Sequence, residues 1–316
     1  MKRIIFRLII SFSKFFLPFL ARFFILLRIN RRVINFLNEK SFLANNYYNF
    51  NKIIQMLLQN NKLIALDVGA QGGFNSDEFI SKEYNKFFEP IMIEPIKEES
   101  DKLKKKYKYV LDKALWSSEI TKKIYILEKR LGSSSMYEPD PSSFKIYNLN
   151  EKECDQFQIT RTENINCEPL SLSLKKISIN KLHYLKIDTQ GSELEILRGM
   201  KEHNPLLMRI EVQILPMYKN IPPWTELVNF IDKMNYMLCD WKPIGKHATR
   251  VPAEMDMIFI PNYRSTIGKK FIIENQNEFI SLMLIFSQLS LLKIISEELN
   301  FKSKNLIKDF NDRFFY

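Results

Sequence analysis

The chain has 316 residues, 46% hydrophobic and 26% charged, which suits a folded globular protein and argues against a disordered one. Its formal net charge is +11, yet residues 1–32 hold Lys2, Arg3, Arg7, Lys14, Arg22, Arg28, Arg31 and Arg32 and no acid. The rest carries 39 basic against 36 acidic residues, so a nucleic-acid footprint spread over the whole domain is not supported. Abundant Lys, Asn, Ile and Phe also fit a plainer source, base-composition bias in the genome. Cys154, Cys167 and Cys239 are far apart and form no CxxC, and His183, His203 and His247 lack metal-ligand spacing. Neither a disulfide framework nor a metal site is expected, and a reducing, cytoplasmic compartment is.

In chain order, residues 1–32 are basic and apolar, and their longest charge-free run is Phe15–Ala21. A spanning helix needs about 18–20 apolar residues. A signal peptide fits poorly, because Arg7 and Lys14 interrupt the apolar region. Wound as a helix, the segment gathers Arg3, Arg7, Lys14, Arg22, Arg28 and Arg32 within an arc of about 120° and leaves Phe, Leu and Ile opposite. Pro18 implies a kink. Two readings stay open: an interfacial anchor at the inner face of a membrane, or a helix packed on its own domain or a partner.

Residues 40–60 read as a helix. Leu63–Val68, an apolar run ending at Gly69, reads as a buried strand. A helix is expected from about Phe74, a strand at Phe87–Ile93, a helix at Lys97–Lys106 and a strand at Tyr109–Leu111. That alternation implies a parallel sheet with crossover helices. Residues 115–170 break it, with extra strands expected at Lys122–Leu127 and Gln156–Ile159. It resumes with strand His183–Ile187, helix Ser192–Gly199, strand Leu206–Ile214 and helix Trp224–Met234. Strands Tyr236–Trp241 and Asp256–Ile260 have no helix between them, so they read as an antiparallel pair at one sheet edge. Residues 271–316 form a helical tail, whose charge-free run Phe279–Leu292 reads as buried or partner-facing.

Four places carry chemistry. Asp67-Val-Gly69-Ala70-Gln-Gly72-Gly73 follows a strand in a chain with only eight glycines. Gly permits a tight turn and close approach of backbone to a ligand, and a helix behind the turn would add free N–H groups. The G-x-x-G-G spacing is not the dehydrogenase fingerprint. Glu94 ends the next strand, where a carboxylate can accept from both hydroxyls of a ribose. Asp112-Lys-Ala114-Leu115 follows the third strand, a tip that would lie near the base of a bound nucleoside. Asp188-Thr-Gln-Gly191-Ser-Glu193 ends a fourth strand and opens a helix, so Asp188 stands where ligands bind parallel sheets. Glu193 has a plainer role too, since an acid in a first helical turn favours the helix dipole.

These residues resemble those of FkbM-type methyltransferases. The likeness runs from Leu63 to Ile260 and is carried by Leu66-Asp-Val-Gly-Ala70, Ile93-Glu-Pro95, Ala114-Leu115, Ser133-Ser-Ser135 and above all Leu185-Lys-Ile-Asp-Thr-Gln-Gly-Ser-Glu-Leu-Glu-Ile-Leu-Arg-Gly199. Glu211 in Met208-Arg-Ile-Glu-Val matches the acid of the family's next strand. Two details depart from the pattern: Gln71-Gly72 stands where Asn and an apolar residue are common, and Gln190 where Glu is common.

The resemblance implies an α/β, Rossmann-like class I methyltransferase fold: a mostly parallel seven-stranded sheet with an antiparallel edge hairpin. Beside it, the expected organisation is a basic segment at 1–32, a methyltransferase domain at 33–262 (core 63–260, insertion about 115–170) and a helical extension at 263–316, for which burial against its own domain and a homo-oligomer contact both stay open. The implied cofactor is S-adenosyl-L-methionine, bound through Asp67, Gly69, Ala70, Gly72, Gly73, Glu94, Ala114, Leu115 and Asp188. The implied acceptor is a hydroxyl of a sugar, glycan or secondary metabolite, with Asp188, Glu211 and His247 as candidate bases. His247 enters because the connection between the last two strands falls at the carboxyl edge of the sheet; an ordinary loop histidine is the plainer reading. The alternatives are a dinucleotide-dependent Rossmann enzyme and an inactive membrane-tethered scaffold.

Overall fold

The computed structural model describes residues 50–245 and 248–301, so the interfacial-helix expectation for residues 1–32 and the candidate His247 both lie outside the described residues. The described chain falls into two compact units. One comprises Leu63–Ser76 and Phe88–Lys269. The other comprises residues 50–62, Asp77–Phe87 and the stretch from Lys270.

The first unit contains a seven-stranded sheet. Its strands are β1 (Leu63–Val68), β2 (Phe88–Ile93), β3 (Tyr109–Leu111), β7 (Tyr184–Ile187), β8 (Leu207–Gln213), β9 (Tyr236–Ile244) and β10 (Glu254–Pro261). They lie in the order β3-β2-β1-β7-β8-β10-β9. The first five run parallel, and β10 is antiparallel to both its neighbours. This is the mixed α/β sheet that the alternation implies. The strand order reverses between β1 and β7, and such a switch point opens a crevice at the carboxyl ends of the strands.

Leu66, Val68, Ile91, Ile93, Leu185, Ile187, Met208 and Ile210 are buried in one core. Burial on both faces explains why β1 reads as an unbroken apolar run rather than an alternating one. Pro90 in β2 pairs with Ala65, and the short β3 takes up pairing only from Ile91, so the missing Pro90 donor costs no bond on that side. Helices α2 (Lys97–Lys104), α5 (Glu193–Arg198) and α6 (Trp224–Lys233) lie close to their expected positions. The short helix α3 (Glu151–Asp155) lies within the insertion, and α4 (Leu170–Lys176) leads from it back to the sheet; the sequence pattern showed neither.

The insertion forms a second sheet of β4 (Ala114–Leu115), β6 (Arg161–Glu168) and β5 (Ile120–Ile126). The strand expected at Gln156–Ile159 is absent, because Asn150 caps α3 through a capping box and the chain turns at Gln156 before extending from Arg161. The helix expected from Phe74 is also absent. Gly72, Gly73 and Asn75 all take left-handed φ, at +81°, +104° and +54°, which a continuous right-handed helix cannot accommodate. The chain makes turns there, and its next helical element is the 3-10 helix Lys82–Phe87.

In the second unit, α1 (Asn51–Leu58) packs against α8 (Gln276–Ile285), and α9 (Leu289–Glu298) follows. Phe279 to Ile285 are all buried, which accounts for the charge-free run in the tail. Helix α7 (Thr266–Glu274) precedes them. Among the described residues, no helix is long and apolar enough to cross a membrane.

Candidate functional site

The Gly loop leaves the buried end of β1 and folds over the adjacent strand tips. The Gly69 and Ala70 N–H groups both donate to the Ile93 carbonyl, at 3.1 and 3.2 Å, which seats the loop on the end of β2. Gly69 has φ +78°, and a Cβ there would stand 1.9 Å from the Asp188 carbonyl oxygen. Only glycine lets the β1 and β7 tips approach this closely. The Tyr107 hydroxyl lies 3.0 Å from the Phe74 N–H and accepts from it, holding the far side of the loop.

Asp67 is 3% exposed, and its register partner on β7 is Lys186. The Lys186 ammonium lies 3.2 Å from Asp67 Oδ1 and 3.5 Å from Asp188 Oδ2, and it donates to the Gly69 carbonyl at 3.3 Å. One cation therefore ties both strand-tip acids to the loop. A carboxylate as buried as Asp67 needs such a partner, since an isolated buried ion costs several kcal/mol.

Glu94 stands at the β2 tip, 4% exposed. Its Oε1 accepts from the Ile96 N–H at 2.9 Å, and Oε2 has no partner among the described residues. Burial pushes its pKa up to about 7, and the Glu99 and Asp67 carboxylates add to that, while the Ile96 N–H and Lys186 oppose it. The folded protein thus holds a proton on Glu94 up to about pH 7, whereas an unperturbed glutamate releases it near 4.5. Stability from this group must fall as pH rises between those values and stay level above them. Glu94→Gln removes the buried charge while keeping an oxygen for Ile96. The variant is expected to be more stable than wild type at pH 8 by on the order of 2–3 kcal/mol, with the gap closing below pH 5. Thermal melts at both pH values measure this, and a lower melting temperature than wild type at pH 8 would contradict it.

The β7 tip is held by two side chains. Glu193 is buried at the start of α5, and its Oε1 accepts from the Thr189 N–H, the Thr189 hydroxyl and the Gly191 N–H at 2.9–3.1 Å. Burial still raises its pKa above the ordinary value. Gln190 adopts φ +59° and turns its amide into the site. Both Nε2 hydrogens are used, one to Asp188 Oδ1 at 3.0 Å and one to Glu211 Oε1 at 2.5 Å. Gln190 Oε1 accepts from Gln213 Nε2 at 3.3 Å, and the Gln190 carbonyl accepts from the Ser135 hydroxyl at 2.7 Å. The serine run of the insertion is thereby fastened to the β7 tip.

Asp188, Gln190, Glu211 and Glu254 line an open cavity of about 460 Å³, together with Gln71 and Arg130. That size suits a small-molecule site. Burial first, and the Asp188 carboxylate next, raise the Glu211 pKa well above the usual range. The same two causes, in the same order, push Glu254 to about 7, with Arg130 opposing. Arg130 donates to the Ser133 hydroxyl at 2.8 Å and stacks over Phe157 at 4.8 Å. Asp256, opposite Glu211 in the β8–β10 ladder, is neutralised by a buried bidentate pair with Arg209 at 2.8 and 2.9 Å. Among the described residues, no cluster of three or more His, Cys, Asp or Glu is arranged to hold a metal ion.

The sheet therefore brings Asp67, Gly69, Ala70, Glu94, Asp188 and Glu211 to one edge, with Gly72 and Gly73 in the same loop. Ala114 and Leu115 are placed differently from a loop tip, as buried residues paired with Cys167 and Glu168 in the second sheet. Lys186, Arg130 and Glu254 carry no motif signal of their own in the sequence, and Gln190 stands out there only as a departure from the family pattern. A lysine inside the run Tyr184–Ile187 was the one local signal, since a charged residue in an otherwise apolar central strand needs a buried partner. His183 and His203 have structural roles: His183 Nδ1 accepts from the Ile64 N–H at 2.8 Å, and His203 Nε2 lies 3.2 Å from the Ile179 carbonyl. The model of a protein family described as the methyltransferase FkbM domain matches residues 67–238. No curated protein matches the chain.

Proposed function

Because the chain belongs to the FkbM methyltransferase family, we propose that it transfers a methyl group from S-adenosylmethionine to a hydroxyl oxygen of a sugar, glycan or secondary metabolite. The observation that carries the cofactor assignment is the Gly69-Ala70 loop flanked by three acids, Asp67, Glu94 and Asp188, on adjacent strand tips. Glu94 Oε2, left without a described partner beside a loop too close-packed for a side chain, fits a ribose diol. The surrounding carboxylates fit a cationic ligand. The cofactor supplies an electrophilic methyl on a sulfonium, so the work left to the chain is binding, orientation and removal of one proton.

Lys186 keeps Asp67 and Asp188 in fixed places, and Gln190 holds Asp188 and Glu211 together. An aliphatic hydroxyl must lose its proton as it attacks. Asp188, Glu211 and His247 are the candidates the sequence offers for that step. The acceptor is proposed to enter the open cavity beside the insertion.

Calorimetry with S-adenosylhomocysteine tests the reading. Wild type is expected to bind, and Glu94→Ala to lose about 1–3 kcal/mol of affinity. Equal affinity in a folded Glu94→Ala protein would remove Glu94 from the ribose. Absence of binding by wild type would favour the inactive scaffold.

A further inference from the structure

We propose that Glu254, a residue outside the candidates above, is the group that accepts the proton of the acceptor hydroxyl; this rests on the methyl-transfer reading. Asp188 Oδ1 accepts from Gln190 and its Oδ2 faces the Lys186 ammonium. Glu211 Oε1 takes the second Gln190 hydrogen. Asp256 is spent on Arg209. Glu254 alone among these acids has no hydrogen bond or ion pair from its carboxylate to any described residue, and it lines the cavity.

Its place follows from the topology. Strand β10 runs against β8, so its first residue lies at the edge where the parallel strands end, opposite Gln213. The charged and titratable groups facing it are Asp188 from the β7 tip, Glu193 from α5, Glu211 from β8, Asp256 from its own strand, Arg130 and Tyr147 from the insertion, and Tyr218 from the stretch after β8. Burial first, and the neighbouring acids led by Asp188 next, push the Glu254 pKa up to about 7 against the opposing Arg130, which suits a general base at neutral pH. Proton balance is simple. The hydroxyl oxygen bonds to the methyl carbon, the carbon–sulfur bond breaks with both electrons left on sulfur, and the hydroxyl proton passes to Glu254 and then to water.

The test compares wild type, Glu254→Gln and Glu254→Asp. Labelled methyl transfer from S-adenosylmethionine to glycerol and to simple methyl glycosides is followed between pH 5.5 and 9, and S-adenosylhomocysteine affinity is measured alongside. Glu254→Gln is expected to lower kcat about 100-fold or more, with cofactor affinity within about twofold of wild type. The wild-type rise in kcat through about pH 7 should vanish in Glu254→Gln. Glu254→Asp should recover part of the rate, because a carboxylate remains. A Glu254→Gln enzyme with wild-type kcat and an unchanged acid limb overturns the proposal alone. A wild-type protein that binds no S-adenosylhomocysteine overturns the methyl-transfer reading, and this proposal with it.

Discussion

Gly69→Ala is expected to abolish stable folding, or to lower stability by roughly 4 kcal/mol or more. The added Cβ would lie 1.9 Å from the Asp188 carbonyl oxygen, a backbone atom that cannot swing aside. Relief requires the β1 and β7 tips to separate, which strains the bond from the Asp188 N–H to the Val68 carbonyl and moves Lys186 off the Gly69 carbonyl. The left-handed φ of +78° adds a further penalty of about 1–2 kcal/mol for any Cβ. With total stabilities of about 5–15 kcal/mol, a domain has little room for that loss. Gly245→Ala is the control. Its φ of +67° carries the same backbone penalty, but among the described residues the new Cβ would meet nothing nearer than Glu254 Oε2 at 3.9 Å. Thermal and denaturant unfolding of the two variants should therefore differ widely. A Gly69→Ala protein as stable as Gly245→Ala would show that the loop yields without cost.

Arg209→Met is expected to destabilise the protein by about 3–5 kcal/mol, and Arg209→Met/Asp256→Leu to recover most of that loss. Both partners are buried, at 6% and 5% exposure, and joined through two hydrogen bonds. Removing the guanidinium alone leaves a buried carboxylate on β10 directly opposite Glu211. Replacing both by apolar residues leaves no orphaned charge. The pair also bears on the site, because the Asp256 charge already raises the Glu211 and Glu254 pKa values. Without Arg209 that charge is less compensated, so any acid limb in the activity profile should move to higher pH in Arg209→Met and back toward wild type in the double variant. Urea unfolding of all four members of the cycle gives the coupling energy. A value near zero would mean that Asp256 is neutralised by something other than Arg209.

Features encoded in adjacent residues are legible without the fold. Strand β1 is legible at Leu63–Val68 and β3 at Tyr109–Leu111, because an apolar run flanked by turn residues can do little else in a parallel sheet. For the same reason Asp67, Glu94 and Asp188 are legible as strand-tip acids, and the antiparallel relation of the last two strands follows from the lack of a helix between them. The remaining features depend on which strands become neighbours. Nothing local says that β10 enters between β8 and β9, and that step puts Glu254 at the cavity and Asp256 opposite Glu211. Lys186 acquires its meaning only when β1 and β7 pair in register with Asp67 beside it. Gln190 reads as one residue of a turn until its left-handed backbone aims the amide at two carboxylates from different strands. The glycines announced a tight loop, but the expected helix at Phe74 gave way to successive left-handed residues, a choice made by packing against Tyr107 and the ends of β2 and β7. Hydrophobic period is a property of adjacent residues, whereas the partners of a buried charge are set by strand order and register, which the chain acquires only on folding.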